Sequence, residues 1–382
     1  MNIGIFTCNF SPLVNGLSVS ISRYAEYFRR LGHQVYIFAP RYSGHREWEP
    51  GVFRLPSLRV PTHCRYTLPL PILTRLNQLI QDLKLDILHA QHPFILGPWA
   101  LSLARKLGLP LVFTYHTLYE HYAHYVPLLQ PLAAKLALRR AVEFANQADL
   151  VLAPTWWLKR RLLELEVRVP IEVVPTGVEL KEEIEDPASL RAGLNLEPEA
   201  RVLLYLGRLA KEKNLTFLVH AFHLIEKAIP QAVLLLVGEG DARGELFALA
   251  HKLSLEGSIR FIGLIPHARV AGFYRLAEAF LFPSITEAQG LVILEAMACG
   301  TPVVAIKGTA AEDFIEDELD GLLVEEAVEA FAQGTIRLLR DEGLRSTMGQ
   351  RALEKAGQYT AKASAERMLQ LYQKLVTGES LR

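Results

Sequence analysis

The chain has 382 residues, half of them apolar, with 41 Lys or Arg balanced by 41 Asp or Glu. That length exceeds one ordinary core and suits two domains of somewhat under 200 residues each. Its three scattered cysteines, Cys8, Cys64 and Cys299, argue against a disulfide scaffold, and the absence of an apolar run near 18 residues argues against a spanning helix.

The zero net charge conceals an asymmetry. Residues 1–170 hold 19 Lys or Arg against 10 Asp or Glu, and the rest of the chain carries the compensating negative excess. A basic half suits an anionic partner, with a phospholipid surface and nucleic acid both open at this point, as is an uneven solvated surface. The start MNIGIFTCNFSP lacks the charged opening and long apolar stretch of a signal peptide. A cytoplasmic protein is therefore expected, with any membrane contact peripheral.

Along the chain, short apolar runs ending in Gly, Pro, Thr or Ser alternate with helical patterns, the signature of parallel strands buried between helices. NIGIFT opens the series, and Asn15-Gly16 follows immediately before a helix. Gly16 either lets a ligand approach the backbone or is a plain turn glycine, and without GxGxxG a nicotinamide site is not supported. After the strand QVYIFAP, residues 59–76 set Arg59, Arg65 and Arg75 among Pro, Tyr and Leu and read as a loop suited to lipid headgroups. DILHAQ and PLVFTYHT are the next strands. Residues 114–127, TYHTLYEHYAHYVP, leave three readings open: a metal site from His116, Glu120, His121 or His124, although HExxH is absent; a polar, aromatic acceptor wall including Tyr119 and His121, with His116 at the strand end; or a satisfied histidine cluster. Residues 126–147 form a helix with Lys135, Arg139 and Arg140, either a membrane-interface helix or a buried one with a solvated edge. DLVLAPT and IEVVPTG complete the first series.

Residues 175–200, with two glycines, three prolines and an acidic cluster, read as the linker. A second series follows: RVLLYLGRL, AVLLLVGEGD, IRFIGLI, AFLFPS and TPVVAIKG. Two such series predict two doubly wound α/β domains, 1–176 and 177–360, with the ligand cleft outside the carboxyl ends of their strands. The last segment, 361–382, is expected as a helix returning to the first domain. In LGRLAKEKN, residues 206–214, Arg208 and Lys213 stand at a strand end, placed for a diphosphate or else a surface cluster. In PSITEAQGLVILEAMACGTPVV, Gly290 and Gly300 bound a helix from about Leu291 to Cys299, with Leu291, Leu294 and Ala298 as its buried stripe. Glu295 is expected beside that stripe, leaning toward the helix N-terminus, with Glu287 and Gln289 upstream. Helix N–H groups and two carboxylates suit an anion carrying hydroxyls, as in a sugar linked to a nucleoside diphosphate.

The Glu287-to-Glu295 spacing, GRLAKEKN, the VGEGD turn and VPTGVEL together make the chain resemble the family-4 retaining glycosyltransferases of GT-B architecture over essentially its whole length. TYHTLYEHYAHY and TEAQGLVILEAMA look most like bacterial glucosyltransferases acting on diacylglycerol. The resemblance implies two Rossmann-like domains facing a cleft, with a UDP-sugar, UDP-glucose foremost, in the C-terminal one and the acceptor in the N-terminal one. It places Arg208 and Lys213 on the diphosphate, Glu295 on the ribose, Glu287 on sugar hydroxyls, and Gln289, Gly290 and Leu291 in the cradle. Gly16, Gly207, Gly238 and Glu239 join the donor site, and His116 lies beside the sugar's 6-hydroxyl. Arg59, Arg65, Tyr119, His121, Lys135, Arg139 and Arg140 fall to the acceptor and membrane side. No cofactor, metal or nucleic acid is implied, and no DxD tract occurs. The expected activity is hexose transfer to diacylglycerol or a glycosyl-diacylglycerol on the inner face of the cell membrane. Transfer to a soluble acceptor is the alternative, and a non-catalytic nucleotide-sugar binder a third reading. Asn15-Gly16 in place of two glycines, and Gln289 in place of Phe, depart from many relatives and leave the sugar open.

Overall fold

Runs such as IGIF, VYIFA and VLLYL are apolar at consecutive positions, so both faces of each strand must be covered. In the computed structural model of the chain this burial is met by two parallel sheets flanked by helices. The structure describes residues 1–13, 15–42, 49–59, 67–70, 80–120, 130–179 and 186–381. The chain divides into two units, Met1–Gly177 with Ala361–Arg382, and Val178–Thr360.

The first unit contains β1 (Asn2–Phe6), β2 (Gln34–Pro40), β3 (Val52–Leu55), the ribbon strands β4 (Ser57–Arg59) and β5 (Thr67–Pro69), then β6 (Ile87–Ala90), β7 (Leu111–Thr114), β8 (Leu150–Ala153) and β9 (Ile171–Val173). Its main sheet runs β3-β2-β1-β6-β7-β8-β9, with every pairing parallel. Alternation along the strands sorts side chains to two faces. Ile3, Ile5, Ile87, Val112 and Leu152 pack with Ile21, Ala25 and Phe28 of the helix Gly16–Arg30 and with Met368, Leu371 and Tyr372 of the helix Ala361–Thr377. Rings of the opposite set pair elsewhere: Phe6 stacks on Phe38 at 4.6 Å and meets Trp99 edge-on at 5.2 Å, and Phe113 meets Phe144 at 5.0 Å. Trp99 and Phe144 belong to the helices Leu96–Leu107 and Gln130–Ala145.

The second unit contains β10 (Arg201–Leu206), β11 (Ala232–Val237), β12 (Ile259–Gly263), β13 (Ala279–Phe282), β14 (Val303–Ile306) and β15 (Gly321–Val324), ordered β12-β11-β10-β13-β14-β15 and all parallel. Leu203 joins one core with Phe222, Leu234 and Phe331, whereas its neighbour Leu204 joins another with Leu235, Phe280 and Ile293.

Three sequence expectations are corrected. Residues 57–59 and 67–69 pair as an antiparallel ribbon, so the predicted 59–76 loop is partly strand. β3 and β15, four residues each, add an edge strand to either sheet. On the helix Leu291–Ala298 the fully buried positions include Ile293, Leu294, Ala296 and Met297, while Leu291 and Ala298 are half-buried. That helix packs on both the preceding helix and the sheet, so no single stripe marks its interior.

Candidate active site

At the carboxyl end of β10 the chain turns through Gly207 and Arg208 into a short 3₁₀ turn, Lys211–Lys213, and then the helix Leu215–Ala228. Asn214 takes the left-handed conformation at the junction, with φ 57°. The turn is fastened to the segment after β13. Thr286 Oγ1 donates to the Glu212 carbonyl at 2.8 Å, and Asn214 Nδ2 donates to the Pro283 carbonyl at 3.2 Å. Between these clasps Lys213 Nζ lies 2.5 Å from Glu287 Oε1. Arg208 pairs with Glu212, whose side chain is 1 % exposed. Tyr205 fixes the turn from beneath by donating to the Arg208 carbonyl at 2.9 Å.

The loop after β11 is locked to the same turn. Leu209 N–H donates to the Glu239 carbonyl at 3.0 Å, and Ala242 N–H donates to the Leu209 carbonyl at 2.9 Å. Gly238 has φ 135°, and a Cβ there would lie 1.9 Å from the Gly207 carbonyl oxygen, so only glycine permits this approach. Glu239 pairs with Arg243 at 2.7 Å. Two cations, each held by a carboxylate, thus stand on a turn braced from two sides. Preorganised charge of this kind stabilises an anion without having to reorganise.

Gly290 enters the helix Leu291–Ala298 at φ 74° and carries no side chain to cap its N-terminus; the first turn holds no acid. The positive end of the dipole and the first N–H groups are therefore presented beside the buried Gln289. One turn further, Glu295 is 6 % exposed and accepts a hydrogen bond from Tyr274 Oη at 3.4 Å; His267 Nε2 is 4.0 Å from its other oxygen. Burial, reinforced by Glu295, raises the Tyr274 pKa well above its ordinary value, so the phenol stays a donor. Arg208, Lys213, Glu287, Gly207, Gly238, Glu239, Gln289, Gly290 and Leu291 lie in the segments between strand ends and helix starts of the second sheet, and Glu295 one turn into the helix Leu291–Ala298. Glu212, Thr286, Tyr274 and His267 complete this region and are not singled out by the sequence reading.

The first unit carries a different cluster. His116, just beyond β7, is 2.6 Å through Nε2 from Gln91 Oε1, just beyond β6. His92 Nδ1 accepts from the Cys8 amide at 3.2 Å, and His89 bridges Thr114 at 2.7 Å and Tyr372 at 2.5 Å. Burial lowers all three imidazoles, His92 to about 4 and His89 to about 3; His116 falls well below its ordinary value through burial and then through His92 and His89. They are neutral at pH 7. Gly16 begins its helix after an Asn15–Ser18 capping box, and an added Cβ there would meet nothing within 4 Å. The chain's own packing does not demand glycine at that position.

Tyr119 is buried against Phe94 and Tyr115. Lys135, Arg139 and Arg140 are exposed, the two arginines beside Glu143. Arg59 ends β4, and Arg65, Arg75, His121 and His124 lie outside the described residues. Among the described residues no group of three or more His, Cys, Asp or Glu is arranged to hold a metal.

A family model described as Glycosyltransferase Family 4 matches residues 14–182, and one described as Glycosyl transferases group 1 matches 188–355. Similar proteins include the alpha-monoglucosyldiacylglycerol synthase of Streptococcus pneumoniae, 31% identical over 85% of this chain and 75% of that protein. The synthase of the same name from Acholeplasma laidlawii is 30% identical over 84% of each chain. The D-inositol 3-phosphate glycosyltransferase of Segniliparus rotundus is 32% identical over 76% of this chain and 66% of that protein. Among solved structures, sucrose-phosphate synthase of Thermosynechococcus elongatus superposes with a TM-score of 0.82 at 24% identity, covering 99% of this chain and 100% of that one. Anabaena HepE in complex with UDP and glucose superposes at 0.77 with 20% identity, covering 97% and 99%. These likenesses show the GT-B fold.

Proposed function

The chain belongs to the family-4 glycosyltransferases, and we propose that it moves a hexose, glucose foremost, from UDP to diacylglycerol or a glycosyl-diacylglycerol at a membrane surface. The observation that carries the donor half is the braced turn holding Lys213 against Glu287 and Arg208 against Glu212. A departing UDP gains negative charge as the sugar leaves, and two fixed cations beside a helix N-terminus offset it. Glu295, buried among donors, is suited to ribose hydroxyls, and Glu287 to the sugar. The acceptor oxygen bonds to the anomeric carbon as the bond to the phosphate oxygen breaks. Its proton passes to the leaving phosphate on the same face, so configuration is retained and no metal is required. Gly16 leaves the helix start of the first unit open to a ligand, and neutral His116 offers a hydrogen bond to an uncharged hydroxyl.

The lipid acceptor is supported by the two diacylglycerol-directed relatives and by the exposed basic face at Lys135, Arg139 and Arg140. A peripheral site on the inner leaflet is proposed with it; among the described residues no helix is long and apolar enough to cross a membrane. The inositol-phosphate relative favours a second reading, transfer to a soluble acceptor. Mass spectrometry of products from a panel of nucleotide sugars, with diacylglycerol vesicles or soluble polyols and with EDTA present, decides between them. Glucosyl-diacylglycerol from UDP-glucose in EDTA is expected. Products confined to the polyols would establish the second reading, and activity restored only by a divalent ion would overturn the metal-free step.

A further inference from the structure

The helix Trp156–Glu164 follows β8 and is started by Thr155, whose hydroxyl accepts from the Leu158 amide at 3.2 Å. Its inner face is Leu158 and Leu162, both fully buried. Its outer face exposes two large apolar side chains. Trp156 is 58% exposed and Leu163 55% exposed, with exposed Arg160 between them. These three positions follow i, i+4, i+7 and form one stripe. The Lys159 ammonium sits 5.3 Å from the centre of the Trp156 ring. Three cations, Lys159, Arg160 and Arg161, stand on this helix against a single acid, Glu164. Arg161 is engaged with Glu164 and Glu120, whereas Arg160 lies outermost.

We infer that this helix is a second membrane-contact element, its Trp156–Arg160–Leu163 stripe seated at an anionic lipid surface. The inference rests on the lipid-acceptor reading and adds a partner surface to it. The charge on the stripe and its indole–cation pairing favour lipid over protein. A protein interface is depleted of charge at its core, whereas the headgroup layer favours an indole ring and a cation side by side. Its neighbour supports the same occupant. Asn146, just past the helix Gln130–Ala145, donates to the Glu166 carbonyl at 3.1 Å and accepts from the Arg168 amide at 2.7 Å, which ties the ends of the two helices together. That neighbour exposes Leu132 at 64% and Leu136 at 53% beside Lys135, Arg139 and Arg140. Both helices therefore turn apolar residues and cations to solvent from one part of the first unit. Trp156 also sits at the carboxyl end of β8, the sheet edge that carries His116, which is where an enzyme drawing its acceptor from a bilayer needs its anchor.

The test uses vesicles of phosphatidylglycerol and phosphatidylcholine, the latter with brominated acyl chains that quench indoles at the headgroup boundary. Tryptophan emission of the parent is expected to be quenched, with most of that quenching lost in Trp156→Phe. Trp156→Ala combined with Arg160→Glu is expected to weaken cosedimentation by about tenfold, as for losing one interfacial aromatic and reversing one charge, while UDP affinity is unchanged. The proposal is overturned if quenching survives Trp156→Phe, or if the double variant cosediments like the parent. It is overturned equally if the double variant binds vesicles normally but loses transfer, which makes Trp156 an acceptor contact. Replacing Lys135, Arg139 and Arg140 with Gln separates the two claims. Loss of binding in that variant alone leaves the lipid reading standing without this helix, whereas a parent that ignores anionic vesicles removes both.

Discussion

The two units handle charge in opposite ways. At the strand ends of the second sheet, Arg208, Glu212, Lys213 and Glu287 are all charged groups held in pairs on a turn that side chains and backbone brace from two directions. At the carboxyl side of the first sheet, buried His89 and half-buried His92 and His116 are neutral rings held by Gln91, Thr114, Tyr372 and a backbone amide. Under the proposed function, paired charges suit a ligand that is itself charged and becomes more so in the reaction. Neutral, desolvated donors and acceptors answer hydroxyls, which a full charge would not distinguish from water. The contrast shows how one architecture, used twice in a chain, is specialised by which side chains stand at its strand ends rather than by its layers.

The largest effect is expected where the charge is. Lys213→Ala should lower the transfer rate by at least about 10²-fold, the usual loss when a group stabilising transition-state charge is removed. Arg208→Ala is a less clean probe, because it leaves the Glu212 carboxylate buried without its cation. A Lys213→Ala rate within a few-fold of the parent would mean that the leaving diphosphate is stabilised elsewhere.

A different signature belongs to the neutral cluster. A histidine whose folded pKa lies below its unfolded value lets the unfolded chain take up protons first, so its cost is absent above about pH 6.5 and grows as pH falls. Each of the three then removes up to about 1.4 kcal/mol of stability per pH unit until its folded pKa is reached, near 4 for His92 and near 3 for His89. Calorimetric scans between pH 6.5 and 5, above the carboxylate range, should show the first unit's transition moving steadily downward. A flat response there would show that these rings are already protonated or hydrated in the native state.

Much of this is legible in the sequence alone. Apolar runs ended by Gly, Pro or Thr mark the central strands of both sheets because burial on two faces leaves few polar choices. Gly290 and Gly300 bound the helix Leu291–Ala298 because both need positive φ, at 74° and 73°. Arg208, Lys213, Glu287 and Glu295 stand out as charges set into such patterns. Glu212 does not, since an acid within AKEKN looks solvated, and its turn is clasped by Thr286, 74 residues further on. The Gln91–His116 contact and the approach of Tyr274 and His267 to Glu295 likewise join separate segments, and side chain to backbone clasps such as Thr286 to Glu212 leave no trace in residue type. β3 and β15 are too short and lie at sheet edges, where alternation has little length in which to show.

The division of labour between the two clusters is tested most directly by titration calorimetry of UDP against Glu295→Ala and His116→Ala side by side. Hydrogen bonds to a charged group contribute roughly 1.5 to 3 kcal/mol, so Glu295→Ala should weaken UDP by about ten- to a hundredfold, while His116→Ala should leave its affinity unchanged. Unaltered UDP binding in the Glu295 variant, or a comparable loss in the His116 variant, would contradict the assignment of donor recognition to the second unit.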